Sequence, residues 1–179
     1  MSETEEQLMR AYCDGDAAAF DRLYARHRGP LFRYVKRLCN SAPEAEELYQ
    51  DVWMRVVRSR DQWDPAQLFA PWLYRIAHNR VVDFWRAVDG RAEEALEEEP
   101  PDHGHWVDMA AHLRDCVERL LALLGVLPEV QRSAFLLQQE TGLSLAQIAE
   151  VSGCGRETVK SRLRYANQRL RDGLEDCDE

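Results

Sequence analysis

An all-α fold of two small helical domains joined by an acidic linker is what the sequence predicts, and three observations predict it. Apolar residues recur at i, i+3, i+4 and i+7 along most of the chain, no stretch alternates apolar and polar residues between hairpin turns, and the segment after Gly90 holds too few large apolar residues to pack. The boundaries are expected at 1–90 for the first domain, 91–112 for the linker and 113–179 for the second domain with its acidic tail. A chain of 179 residues allows one or two such domains, each needing a compact core of its own.

Taken in order, the first long helix follows an Asp16 N-cap, with its stripe in Phe20, Leu23, Tyr24, His27, Leu31, Val35 and Leu38, and Pro30 is placed to bend it. Ser41 and Glu44 have the spacing of a capping box, and Ala45, Leu48, Val52 and Val56 carry the second helix to the turn-rich segment Ser59 to Pro71. Pro71 suits the first turn of a third helix whose stripe is Leu73, Ile76, Ala77 and Phe84. After the Glu- and Pro-rich linker, helical spacing resumes at Leu113, Val117, Leu120, Leu121 and Leu124. Leu127-Pro128-Glu129 starts another helix, which Gly142 ends. Ser144 and Gln147 then form a second capping box, and Gly153-Cys154-Gly155 supplies a tight turn into a basic helix.

Charge is distributed against its total. The chain carries a formal −9, and residues 91 to 115 hold 8 acidic side chains against 2 basic ones. Yet Gly142 to Arg171 holds six cations (Arg156, Lys160, Arg162, Arg164, Arg169, Arg171) against Glu150 and Glu157. A basic stripe inside an acidic protein points to a polyanion contact that the whole molecule does not make indiscriminately.

The turn and caps around this stripe are a helix-turn-helix signature. On its second helix Val159, Leu163, Ala166 and Leu170 share one side, so Glu157, Lys160, Ser161, Arg164 and Gln168 project from the other as groove-facing candidates. Arg and Lys read guanine edges or bind phosphate, Gln pairs with adenine, and Glu accepts from cytosine. The competing reading is an ordinary solvated helix face. The third helix presents Trp72, Arg75, Asn79 and Arg86, with Asp83 at the margin, a mixture of aromatic and cationic groups suited to unstacked bases. Packing is at least as good an account of Trp72 and Trp85. Glu44, Glu46, Glu47, Gln50 and Asp51 give the second helix an acidic face that spacing alone reads as solvated surface.

Other classes find little support. There is no phosphate-cradling glycine loop, no dinucleotide fingerprint and no zinc-protease motif, so neither an enzyme nor a cofactor is expected. His103 and His105 read as linker composition rather than a metal site. Five cysteines (Cys13, Cys39, Cys116, Cys154, Cys177) are scattered and never form a C-x-x-C pair, which indicates neither a disulfide framework nor zinc and predicts a reducing, cytoplasmic setting. Apolar runs such as Leu120 to Leu127 are too short to span a membrane, and Met1 to Arg10 is acidic, unlike a secretion signal.

Several segments together resemble a bacterial RNA polymerase sigma factor of the extracytoplasmic-function group. Family region 2 is similar to Phe20 to Leu38, to Glu44-Ala45-Glu46-Glu47-Leu48-Tyr49-Gln50-Asp51-Val52-Trp53 and to Trp72-Leu73-Tyr74-Arg75-Ile76-Ala77-His78-Asn79-Arg80 with Asp83 and Arg86. Family region 4 is similar to Leu127-Pro128-Glu129 with Gln131-Arg132, and to Ser144 to Leu170 around Thr158-Val159-Lys160-Ser161-Arg162-Leu163. The resemblance implies that Glu47, Gln50 and Asp51 dock on the clamp helices of the polymerase largest subunit, which reverses the solvated-surface reading. It implies that the loop 59–70 and the helix bearing Trp72, Arg75, Asn79, Asp83 and Arg86 recognise and melt the minus-10 element and capture a flipped base. It implies that the second helix of the helix-turn-helix, with Arg156, Glu157, Thr158, Lys160, Ser161, Arg164 and Gln168, enters the major groove of the minus-35 element. The linker would run near the RNA exit path, its glutamates mimicking nucleic acid, and an anti-sigma factor is the implied regulatory partner.

Two departures stand out. Glu157 replaces the glycine common in the family before the Thr-Val-Lys-Ser-Arg core, and Tyr165 and Asn167 occupy positions often held by Arg. Fewer cations weaken phosphate anchoring, so the promoter sequence does not transfer from other members. A stand-alone helix-turn-helix regulator with an N-terminal sensing domain is the alternative, and a protein-binding adaptor the third reading.

Overall fold

The computed structural model describes residues 3–89 and 109–177, and the regular elements among them are all helical. The N-terminal group is α1 (Glu5–Cys13), α2 (Ala17–Lys36), α3 (Ala42–Arg58) and α4 (Phe69–Asp89). The C-terminal group is α5 (Met109–Gly125), α6 (Glu129–Thr141), α7 (Leu145–Ser152) and α8 (Arg156–Gly173). Short 3₁₀ turns follow at Arg60–Gln62 and Glu175–Cys177. The acidic run Glu93 to Glu99 and the pair His103 and His105 lie outside the described residues, whereas α5 already begins at Met109, inside the segment expected as linker.

The caps behave as their chemistry requires. Asp16 Oδ1 accepts the Ala18 amide at 2.9 Å. Ser41 and Glu44 exchange side-chain to backbone bonds of 3.4 and 3.1 Å, and Ser144 and Gln147 do so at 3.3 and 2.8 Å. Each satisfies amides that the first turn of a helix leaves without partners. We expect Ser41→Ala to cost about 1 kcal/mol in urea unfolding, with no change in helical content at neutral pH. Gly142 (φ 66°) closes α6 and Gly153 (φ 60°) closes α7, both in the left-handed region that a Cβ disfavours. Pro30 sits within α2, which continues to Lys36.

One helix escaped the sequence reading, which saw only an acidic start before Asp16. α1 is nine residues long, too short to stand alone in water, and it exists because Leu8, Met9 and Tyr12 are buried against its neighbours. A Thr4–Gln7 capping box starts it, and the Glu5 carboxylate lies 3.0 Å from His27 Nε2 of α2.

Three further expectations are corrected. The helical groups do not keep separate cores. Leu31, Tyr34, Leu73 and Tyr74 of the N-terminal group share one buried cluster with Leu136, Leu137 and Ile148 of the C-terminal group, because α6 lies on α2 and α7 on α4. A smaller cluster of Leu124, Leu127, Ala166 and Leu170 joins α5 to α8. The α5 stripe is only partly used: Leu113, Val117 and Leu121 are 66%, 47% and 45% exposed, since α5 packs chiefly on α8 and its apolar face extends beyond that contact. Finally, Cys116 and Cys177 form a disulfide across 61 residues, with Cα atoms 5.8 Å apart. Their sequence spacing gave no sign of it. The pairing arises because the turn after α8 folds back on α5. Cys13, Cys39 and Cys154 remain free thiols.

Candidate nucleic-acid interface

The exposed side of α8 is built by its buried side. Val159, Leu163, Ala166 and Leu170 are all buried, and this fixes the rotation of the helix so that Arg156, Glu157, Thr158, Lys160, Ser161, Arg164 and Gln168 all face solvent. Lys160 Nζ is 2.7 Å from Glu157 Oε1, and this hydrogen bond holds the Glu157 carboxyl below its usual range. Gln168 donates to Asp172 at 2.7 Å, while the Arg164 guanidinium lies 5.0 Å from the Tyr165 ring and donates to its hydroxyl at 3.2 Å. Tyr165, standing where a cation is common in the family, therefore orients one. Such a face can present three cations, an amide and two hydroxyls to a major groove.

A second surface lies between α3 and α4. Glu44, Glu47, Leu48 and Asp51 of α3 face Arg80, Asp83, Phe84, Ala87 and Val88 of α4 across a groove of about 560 Å³. Arg80 bridges the two helices, bonding Asp51 through Nε and lying 3.3 Å from Asp83 through Nη1. Arg55 adds a 3.1 Å bond to the same Asp51 oxygen. Burial pushes the Asp51 carboxyl upward, but the Arg80 and Arg55 bonds together outweigh it and hold the group below its usual value. Gln50 is exposed but does not line this groove. The holding role of Arg80 was not legible in the sequence, because an i,i+3 or i,i+4 rule reaches only partners on the same helix.

The outer part of α4 is divided. Asn79, Asp83 and Arg86 are exposed, and Asn79 joins Arg55, Arg58, Ser59, Gln62 and Ile76 around a hollow of about 280 Å³ beside the 59–70 loop. Trp85 resolves to the packing reading: it is buried and donates to the Leu38 carbonyl at 3.0 Å. Trp72 is half-buried, and Arg75 is ion-paired with Glu150 of α7. The unforeseen α1 pins the loop. Arg10 donates to the Pro65 carbonyl at 3.0 Å, Glu6 accepts the Phe69 amide at 3.2 Å, and Cys13 Sγ lies 3.3 Å from the Arg60 carbonyl. The structure thus joins the α3 patch to Asp83 through Arg80, keeps α8 as a separate face, and places Trp72 and Arg75 against the C-terminal group.

An exposed basic helix after a tight turn is the arrangement of a DNA-binding protein, and a separate acidic groove lies between α3 and α4. Residues 23–91 match the sigma-70 region 2 model and residues 117–170 the sigma-70 region 4 model. The chain is 32% identical to the ECF RNA polymerase sigma factor SigK of Mycobacterium sp. (strain KMS), covering 95% of this chain and 88% of the relative. It is 30% identical to the ECF RNA polymerase sigma-E factor of Haemophilus influenzae, covering 96% of each. Its fold is similar to that of CnrH, solved with the cytosolic domain of CnrY, with a TM-score of 0.72 at 24% identity over 99% of this chain and 100% of that one. The chain belongs to the extracytoplasmic-function group of the sigma-70 family of RNA polymerase sigma factors. It is a promoter-specificity subunit that partners core RNA polymerase and promoter DNA, and the stand-alone regulator reading falls with the ordered match of both sigma regions. No helix among the described residues is long and apolar enough to cross a membrane.

Proposed function

We propose that three separate faces of this sigma factor divide the work of initiation. The acidic patch of Glu47, Gln50 and Asp51 docks on core polymerase. Asn79, Asp83 and Arg86, with Trp72 and Arg75 further up α4, read and open the minus-10 element, and the hollow at Asn79 receives a flipped base. Arg156, Glu157, Thr158, Lys160, Ser161, Arg164 and Gln168 read the minus-35 element. The observation that carries this reading is the uniform exposure of all seven α8 residues over a wholly buried opposite side. The chain works in the cytoplasm, where the polymerase is, has no catalytic activity of its own, and contributes binding energy and strand selection. An anti-sigma factor is its regulatory partner, by likeness in fold to the Bartonella quintana sigma factor RpoE, solved in complex with the anti-sigma factor NepR.

In vitro transcription with core polymerase and a genomic fragment library tests the whole assignment: mapped start sites share one pair of upstream elements. For α8, Lys160→Ala or Arg164→Ala weakens promoter binding by about 1–3 kcal/mol where the side chain reads a base, with tolerance altered at one minus-35 position. A phosphate contact instead weakens all sequences alike. Unchanged transcription from every promoter removes both residues from the site.

A further inference from the structure

Helix α1 precedes the region 2 match, which begins at residue 23, yet it holds the loop between α3 and α4 at three points. Its residues Glu6, Arg10 and Cys13 stand at i, i+4 and i+7, so they share one face of the helix, beside the buried Leu8, Met9 and Tyr12. Each reaches a backbone group of the loop, in antiparallel order. Glu6 Oε1 accepts the Phe69 amide at 3.2 Å, the Arg10 guanidinium donates to the Pro65 carbonyl at 3.0 Å, and the Cys13 thiol donates to the Arg60 carbonyl at 3.3 Å. Burial pushes the Cys13 thiol up, which keeps on it the proton it donates. Arg60 in turn lies over the Tyr12 ring, 5.3 Å from its centroid.

All three contacts go to backbone, so the side chains of the loop stay free. Trp63 and Phe69 are buried and anchor the loop from within, and between them every residue from Asp64 to Leu68 is exposed. A segment with no core beneath it ordinarily samples many shapes. Here Arg10 grips its middle, and Cys13 grips it between Ser59 and Gln62, which line the hollow at Asn79. Helix α1 is itself firmly seated: the Glu5 carboxylate lies 3.0 Å from His27 Nε2, the His27 ring packs T-shaped on Phe69 at 5.2 Å, and Arg26 donates to the Glu3 carbonyl at 3.0 Å. The helix therefore fixes the shape of the loop and leaves the choice of contact to the loop's own side chains.

We propose that Glu6, Arg10 and Cys13 are positioning residues for promoter opening: they hold the 59–70 loop in the shape that frames the hollow at Asn79, and so set both the rate of opening and the base preferred there. None of the three touches the base. They act by preorganisation, because a loop ordered before the DNA arrives adds no ordering cost when it binds. Freeing the backbone of even one loop residue is worth about tenfold in an equilibrium constant. This role rests on the minus-10 reading proposed above for the hollow at Asn79.

The test uses the full chain with core polymerase on a promoter mapped by the transcription experiment, with each minus-10 base replaced in turn. Arg10→Met keeps the stem without the donor, and Arg10→Lys keeps a donor. Glu6→Met removes the acceptor that Glu6→Gln retains. Each Met variant is expected to slow open-complex formation about tenfold and to flatten the preference at one minus-10 position. Amide hydrogen exchange across residues 60–68 is expected to quicken severalfold, while affinity for core polymerase stays at the wild-type value. The Lys and Gln variants are expected to recover most of the rate and the preference. Wild-type opening and preference in both Met variants, or unchanged exchange in the loop, would overturn the role of α1. A loss that Lys and Gln do not recover, or one that takes core affinity with it, would mark α1 as merely structural and overturn the role as well. Gln62→Ala and Asn79→Ala separate the two assignments. If neither alters opening or preference, the minus-10 reading of the hollow falls and the role of α1 with it; if they do and the Met variants do not, only the role of α1 falls.

Discussion

Asp51→Ala or Glu47→Lys is expected to lower affinity for core polymerase at least tenfold while circular dichroism and melting stay close to wild type. Asp51 sits where two helices meet, held by Arg80 from α4 and by Arg55 from its own helix. Docking against a partner would desolvate this group with its cations in place. Removing one member of a desolvated, hydrogen-bonded charge set typically costs about 2–5 kcal/mol, because the remaining charges are left buried without compensation. Glu47 lines the same groove from one turn earlier, and a lysine there opposes Arg80 and Arg55 directly. A titration of labelled wild type and both variants with core polymerase measures this. Equal binding by all three moves the docking surface elsewhere, and an Arg80→Ala variant that binds as wild type would show that the bridge to Asp51 does not position it.

Stability is expected to fall by about 3 kcal/mol as pH drops from neutrality to 4, through His78 alone. Burial pushes this imidazole down to about 4, with the positive charge of Arg162 acting in the same direction. Its ring nitrogen faces the Tyr34 hydroxyl and the Ser133 hydroxyl, neither of which carries a negative charge to stabilise a cation. In the unfolded chain the group titrates near 6.5, so between 6.5 and 4 the unfolded state binds more protons than the folded one. The contribution is therefore full above 6.5 and is lost as pH falls towards 4, about 2 kcal/mol of it already between pH 7 and pH 5. Urea unfolding of wild type and His78→Gln over this range checks the sign and size. The variant is less stable at neutral pH but loses less on acidification, and parallel slopes would show that His78 does not titrate in this way.

The fold was legible wherever a local rule governs it. Asp16, Ser41 with Glu44, and Ser144 with Gln147 cap helices as their spacing requires, because an orphan amide and a nearby side-chain oxygen find each other without help from the rest of the chain. The rotation of α8 was legible for a similar reason: Val159, Leu163, Ala166 and Leu170 define a buried side at 100° per residue, and the outward positions of Glu157, Lys160, Ser161, Arg164 and Gln168 follow. Helix α1 carries a Thr4–Gln7 capping box of the same kind, a signal the sequence reading passed over, but nine residues are too few to hold a helix in water and α1 depends on burying Leu8, Met9 and Tyr12 on other helices.

The sequence alone thus determined the helical class, most of the helix starts and stops and the membership signalled by its two sigma motifs, all properties that depend on residues within a few turns of one another. Only the tertiary structure decided that Arg80 holds Asp51, that Cys116 reaches Cys177, and that Tyr34, His78 and Ser133 close one cluster from three helices. Those pairings join positions 29 to 99 residues apart, and the Tyr34–His78–Ser133 cluster depends on how α6 settles on α2 and α4. Apolar periodicity says that a face will be buried, but packing chooses its partner.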